Sequence, residues 1–219
     1  MKTEEDHKKN PDALLFDMDG TLWDAVNTYT LAWNKYFENH GLDKHLSKTD
    51  LDNLMGLEEG AFLEIILPEF SENERAQRYK EVVQLQYDLI NDIGGEIYPG
   101  VTEFLPLLQK KYKLFIVSNC PEFTIKHFMK FARIDHLIID SFSHGQNYKA
   151  KHENISSLIS TYQLKRPLYI GDTHSDMIQS KKAEVPFIFM SYGFGQCASF
   201  DQSFDSFQDF ARYYLNAYI

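Results

Sequence analysis

Three short apolar runs constrain this chain more than any other feature: Ala13-Leu14-Leu15-Phe16, Leu114-Phe115-Ile116-Val117 and Leu168-Tyr169-Ile170. Each reads as a buried strand, and amphipathic helical patterns separate them. That alternation predicts a parallel sheet with helices on both faces. Sheets of this kind bind ligands beyond the carboxyl ends of their strands. All three runs end there in residues that carry chemistry. The first opens into Asp17-Met18-Asp19-Gly20-Thr21, the second into Ser118-Asn119, and the third into Gly171-Asp172-Thr173-His174-Ser175-Asp176.

Two carboxylates two positions apart at a strand end point to phosphoryl transfer. A carboxylate can attack phosphorus, but an anion meeting a phosphate needs a cation and hydrogen-bond donors beside it. Gly20 lets the backbone approach a phosphate closely, and Thr21 offers a hydroxyl. The alternative reading of the pentapeptide is a turn that merely ends a strand. Lys149 and Lys151 precede a further amphipathic stretch with Ile155, Leu158, Ile159 and Tyr162. Along the chain the order is therefore acid pair, hydroxyl, lysine, acid pair.

These four segments, in this order, resemble the haloacid dehalogenase superfamily of phosphohydrolases over nearly the whole chain. The resemblance implies an aspartyl-phosphate mechanism with Asp17 as nucleophile and Asp19 as general acid and base. It implies phosphate binding by Ser118, Asn119, Thr21 and a lysine, and Mg²⁺ held by Asp17, Asp172 and the Asp19 carbonyl. Asp176 would serve as a further ligand or through hydrogen bonds to the ligands. An acid at position 19 favours a phosphatase over a dehalogenase, because an alkoxide leaving group needs a proton and a halide does not. Of the two lysines, Lys151 is expected to bind phosphate, since it stands at the entrance to the helix that follows.

Residues 24–98 read differently from the rest. Val26, Tyr29, Trp33, Tyr36 and Phe37 form one apolar helical face, with Gly41 as the expected end of that helix. Ser71-Glu72-Asn73-Glu74 reads as a capping box opening a longer helix that stops at Gly94-Gly95. Shorter helices are expected at Leu51 to Met55 and Ala61 to Leu67. The insertion is thus expected to be all helical, its aromatic stripes forming the bundle core. Glu58 and Glu59 read as solvated helix-start residues, His144 and His174 as surface histidines, and Cys120 as a small packing residue. The resemblance places such an insertion as a cap domain, of the kind found in phosphoglycolate-phosphatase-like members. Residues 1–23 and 99–219 would form a Rossmann-like α/β core. Within the core, Pro121 to Phe131 and Ser203 to Ile219 read as helices, and His136 to Asp140 and Pro186 to Met190 as strands. Residues 1–10 are expected to be a frayed tail.

With 219 residues, 43% hydrophobic and 25% charged, the chain can bury a sizeable core. A net charge of −10 opposes binding to a nucleic-acid backbone. Neither a signal peptide nor a bilayer-spanning stretch is visible, and two cysteines are too few for a disulfide framework. The expected setting is a reducing cytoplasm, the partner a small phosphorylated metabolite, and the default state a monomer. Two rivals use the same motifs: a β-phosphoglucomutase-like phosphotransferase, and a noncatalytic phosphate-binding regulatory module.

Overall fold

A computed structural model describes residues 10–216, so all of the expected tail but Asn10 lies outside it. In chain order, β1 (Ala13–Phe16) and β2 (Trp23–Asp24) precede four helices, α1 (Val26–Asn39), α2 (Lys48–Asp52), α3 (Glu59–Ile66) and α4 (Glu72–Asp92). There follow β3 (Glu96–Ile97), α5 (Val101–Gln109), β4 (Lys113–Ser118), α6 (Thr124–Ala132), a 3₁₀ turn at Asp135–Leu137, β5 (Asp140–Ser143) and α7 (His144–Asn147). The chain continues through α8 (Lys151–Tyr162), β6 (Pro167–Gly171), α9 (His174–Lys182), β7 (Phe187–Met190), β8 (Gln202–Phe204) and α10 (Phe207–Leu215).

The six long strands form one sheet in the order β5-β4-β1-β6-β7-β8, and every pairing is parallel. β1 is central because all four of its residues are fully buried and its two edges are both paired. Alternate side chains enter opposite faces. Leu14, Phe16, Leu114, Ile116, Leu168 and Ile170 join one core cluster, whereas Ala13, Leu15, Phe115, Val117 and Tyr169 join the other with Ile155 and Leu158 of α8. Phe16 meets Phe207 and Phe210 of α10 at centroid distances of 6.0 and 5.8 Å. Truncating such a ring costs about 3–5 kcal/mol.

Register is what assembles the site. Phe16 lies level with Ile116 on one side and Ile170 on the other. The next residues of all three strands, Asp17, Val117-Ser118 and Gly171-Asp172, therefore emerge at one end of the sheet. The Asp17 backbone N–H donates to the Ile170 carbonyl at 2.7 Å, which carries the pairing one residue beyond β1. β4 and β6 flank β1 on opposite sides, so this end is also where the strand order reverses.

The four helices between β2 and β3 share an aromatic centre. Trp33 of α1 stacks on Tyr79 of α4 at 6.0 Å and 15°, and lies 5.9 Å from Phe62 of α3. The Ser71 backbone N–H and hydroxyl both donate to Glu74, at 2.9 and 2.6 Å, as the sequence pattern suggests. Gly94 takes φ +64° just after α4, where a Cβ would overlap the Phe131 ring.

Several expected boundaries move. The insertion is not all helical at its roots, because Trp23–Asp24 and Glu96–Ile97 pair as a two-residue antiparallel ribbon. The second helix starts earlier than Leu51, since Ser47 and Asp50 form a capping box that fixes its first turn at Lys48. The expected strand at His136 to Asp140 is a 3₁₀ turn followed by β5. Leu137 plugs the core from that turn, so its apolarity reflects burial and not strand pairing. Pro121 lies ahead of α6, its carbonyl accepting from Thr124 N–H at 3.2 Å. Ser203 and Phe204 belong to β8, and α10 begins only after Ser206, whose Oγ accepts from the Asp209 N–H at 3.1 Å. Among the described residues no helix is long and apolar enough to cross a membrane.

Candidate active site

The first loop turns sharply because Gly20 takes φ +84°, and a Cβ there would run into the Asp172 carboxylate. Gly193 crowds Asp172 equally from the loop after β7. These two glycines let three loops converge on one acid. Asp172 Oδ2 accepts from the Phe194 N–H at 2.8 Å, and Oδ1 from the Thr21 hydroxyl at 3.3 Å.

Asp17, Asp172 and Asp176 lie together, with one oxygen from each within 4.8 Å of the others. Lys151, at the first turn of α8, reaches into this group. Its ammonium donates to Asp17 Oδ1 at 3.0 Å and to Asp176 Oδ1 at 2.7 Å, and it is 4% exposed. Lys149 is exposed and its backbone carbonyl meets the His144 ring at 3.1 Å, so the structure brings Lys151 to the acids and leaves Lys149 outside.

Asp176 is already well occupied. Its other oxygen accepts from the Thr173 hydroxyl at 2.7 Å and the Thr173 N–H at 3.0 Å, while Thr173 Oγ1 accepts from the Asp176 N–H at 3.1 Å. The capping box that starts α9 thus fixes Asp176, and Asp176 fixes Lys151. Asp17 and Asp172 keep more open lone pairs.

The electrostatics show a shortage of positive charge. Burial works against the Lys151 ammonium, yet Asp17 and Asp176 together hold it well above the usual lysine range. Burial, then the charges of Asp176 and Asp17, push Asp172 far above the ordinary carboxylate value. Asp17 is pushed up to about 6 by burial, against the pull of Lys151. Three carboxylates face one ammonium, leaving two negative charges uncompensated in a buried place. An all-oxygen donor set with that deficit fits a hard divalent cation.

Asp19 stands apart from this cluster. Burial, then the Asp17 charge, raise it to about 7, and the Tyr29 hydroxyl donates to its Oδ1 at 2.9 Å. Tyr29 reads from sequence as one more member of the apolar face of α1. A hydroxyl within that stripe is the sign that could have marked it.

Asp17, Asp19, Ser118, Asn119 and Lys151 line a cavity of about 90 Å³ beneath the helical insertion. Thr21 does not; it is fully buried and its hydroxyl is spent on Asp172. Cys120 is buried as expected, at the cavity wall. From the insertion come Trp33, Met55, Glu59, Phe62, Tyr79 and Gln86, so the aromatic stripe is bundle core at one end and cavity lining at the other. Glu59 is half-buried there, and burial raises its carboxyl above the ordinary value, unlike the solvated residue expected from sequence.

Comparison with known proteins places this arrangement. The profile of a family described as "Haloacid dehalogenase-like hydrolase" matches residues 14–190. A phosphoglycolate phosphatase of Aquifex aeolicus is 26% identical over 176 residues, covering 78% of this chain and 80% of that protein. Another, from Nitrosococcus oceani, is 25% identical over 85% of this chain and 86% of its own length. Among solved structures, a haloacid dehalogenase-like hydrolase from Streptococcus pneumoniae superposes with a TM-score of 0.81 at 20% identity, over 94% of this chain and 99% of its own. A predicted phosphoglycolate phosphatase from Haemophilus somnus gives 0.81 at 21%, over 92% and 96%. The profile runs from β1 through β7 and takes in every acid of the site, and the chain belongs to the haloacid dehalogenase-like hydrolase family.

Proposed function

We propose that the protein is a Mg²⁺-dependent phosphatase that hydrolyses a small phosphate monoester through a phosphorylated Asp17. The observation that carries this reading is the convergence of Asp17, Asp172 and Lys151 at the ends of β1 and β6 and the start of α8, with a separately held acid, Asp19, two residues from the nucleophile.

Asp17 and Asp172 would hold Mg²⁺, with the Asp19 carbonyl as a third donor. The ion would neutralise the phosphate oxygens and supply the two charges that the acid cluster lacks. Lys151 pairs with Asp17 and keeps it ionised for attack. In the first step an Asp17 oxygen bonds to phosphorus, the bond from phosphorus to the ester oxygen breaks, and the Asp19 proton passes to the departing alkoxide. In the second step Asp19, now a carboxylate, takes a proton from water. That water's oxygen bonds to phosphorus, the bond from phosphorus to Asp17 breaks, and inorganic phosphate leaves. Ser118 and Asn119 offer a hydroxyl and an amide to the phosphate from the end of β4. Asp176 and Thr173 keep Lys151 in place.

Residues 24–98 act in this reading as a cap over a core formed by 1–23 and 99–219, with the β2–β3 ribbon as its double stalk. A cavity of about 90 Å³ is small beside the roughly 300–1,000 Å³ of drug-sized sites. It suits a substrate of few atoms and excludes bulk water around the reacting phosphorus.

The test is turnover of a panel of phosphate esters with and without Mg²⁺, together with acid trapping of the phosphoenzyme. Metal-dependent release of phosphate, and a label located on Asp17, are the expected results. A folded Asp17→Asn variant with appreciable Mg²⁺-dependent activity would sink the covalent route. Release of phosphate to water rather than transfer to a second sugar hydroxyl separates a phosphatase from a mutase.

A further inference from the structure

The cavity has two ends of different chemistry. Its floor is the acid and lysine cluster, and its roof is supplied by the insertion. One polar side chain in that roof is nearly buried and unpaired among the described residues. Gln86 of α4 is 5% exposed, and its amide has no hydrogen-bond partner. The indole N–H of Trp33 also lacks a partner, but Trp33 is 0% exposed, so that N–H is sealed inside the bundle and not offered to the cavity. Gln86 lines the cavity. A nearly buried amide without a partner at a cavity wall is a site where a ligand's own polar group completes the bonding.

The one carboxylate in the roof is Glu59. It also lines a second hollow beside it, with Asn119, His144 and Lys151, so it stands at the passage between the two. No lysine or arginine among the described residues accompanies it in the roof. The insertion has six lysines and arginines, and none lines the cavity. Lys44 binds the Ile66 carbonyl and Glu69, and Lys48 pairs with Asp24 and Asp52. Arg75 donates to the Leu67 carbonyl, and Arg78 donates to the Tyr36 hydroxyl over the Phe70 ring. Lys35 and Lys80 are exposed and lie outside the cavity lining. Lys151 is the one cation of the cavity, and the acids of the floor already hold it.

We infer that the alcohol part of the substrate is small, uncharged and hydroxylated, that its hydroxyl bonds to the Gln86 amide, and that Glu59 turns away esters carrying a second anion. This rests on the phosphatase reading of the floor and specifies what that floor is offered. A carboxylate at the far end of the substrate would face Glu59 with no lysine or arginine of the roof to receive it. A hydroxyl there gives the Gln86 amide a donor or an acceptor, satisfying a group that otherwise stays unpaired.

A matched pair of esters tests it: 2-hydroxyethyl phosphate and 2-phosphoglycolate, which have the same length and differ in a terminal CH₂OH against a carboxylate. The expected kcat/KM is at least about tenfold higher for the hydroxyethyl ester. Glu59→Gln should narrow that ratio by improving phosphoglycolate, and Gln86→Leu should narrow it by impairing the hydroxyethyl ester. Equal or better turnover of phosphoglycolate by the wild-type protein overturns the inference while leaving the phosphatase reading standing. If neither ester nor p-nitrophenyl phosphate is turned over, the phosphatase reading fails. Calorimetric binding of the same two esters to the Mg²⁺-loaded protein then decides, and equal or tighter binding of phosphoglycolate rejects the neutral-alcohol assignment.

Discussion

The Tyr29 hydroxyl of α1 donates to Asp19 Oδ1 at 2.9 Å, joining the helical insertion to the acid of the first loop. Asp19 is raised to about 7 by burial and by Asp17, and this hydrogen bond pulls the other way by favouring the carboxylate. In its proposed role of general acid Asp19 is competent when protonated, so turnover of esters with poor leaving groups is expected below pH 7 and lost as pH rises through it. Tyr29→Phe removes the bond that favours ionisation. The alkaline limb of the kcat profile for an alkyl phosphate should then move to higher pH. An unmoved limb in that variant means that Tyr29 does not tune the acid.

The same group makes stability depend on pH in a stated direction. Its folded value of about 7 lies above the ordinary 3.8, so the folded state binds the proton more tightly than the unfolded one. The stabilisation from that proton is complete below about pH 4 and is lost as pH rises to 7. Above that, the fold bears a half-buried carboxylate beside Asp17. Asp19→Asn keeps an acceptor for Tyr29 and removes the charge. Its Tm should exceed that of the wild type at pH 8, and the gain should vanish at pH 4. Equal gains at both values would mean that ionisation of Asp19 is not their source.

Leu14 to Ile170 show why the core and the floor of the site were readable from sequence. Strands covered on both faces are apolar throughout, and the residue that follows such a run is the one that leaves the sheet at its ligand-binding end. Asp17, Ser118 and Asp172 are legible for that reason. Lys151 was legible because a helix start fixes where the side chain begins. Tyr29, Gln86 and Glu59 were not. Their roles depend on how α1, α3 and α4 sit over the sheet, and helical spacing alone says which residues share a face but not what that face meets. Leu137 failed for a related reason, since burial from a 3₁₀ turn and burial from a strand leave the same apolar residues behind.

The acid cluster predicts a metal-dependent Tm. Asp172 is pushed up by burial and by Asp176 and Asp17, and a divalent ion that relieves this repulsion binds the folded chain alone. Millimolar Mg²⁺ should raise Tm, and EDTA should reverse the shift. Asp172→Asn should abolish the Mg²⁺ shift while raising the metal-free Tm above that of the metal-free wild type, because it removes one of the crowded charges. A Mg²⁺ shift that survives this substitution would place the ion elsewhere.

Lys151 and Lys149 differ by two positions and should differ widely in consequence. Lys151 is 4% exposed and its ammonium is shared by Asp17 at 3.0 Å and Asp176 at 2.7 Å. Removing one member of a buried ionic group leaves its partners uncompensated, at a cost of about 3–5 kcal/mol. Lys151→Ala should therefore lower Tm strongly near pH 7 and less at pH 4, where the acids take up protons. It should also lower kcat/KM by on the order of 10²–10³-fold, the scale of losing one oriented donor to developing charge. Lys149→Ala changes an exposed side chain and should stay within about 0.5 kcal/mol in stability. Calorimetry at the two pH values separates the two contributions. Should Lys151→Met, which keeps the apolar stem and loses the charge, retain full activity with an unchanged Tm, the ammonium is neither a phosphate ligand nor a keystone of the acid cluster.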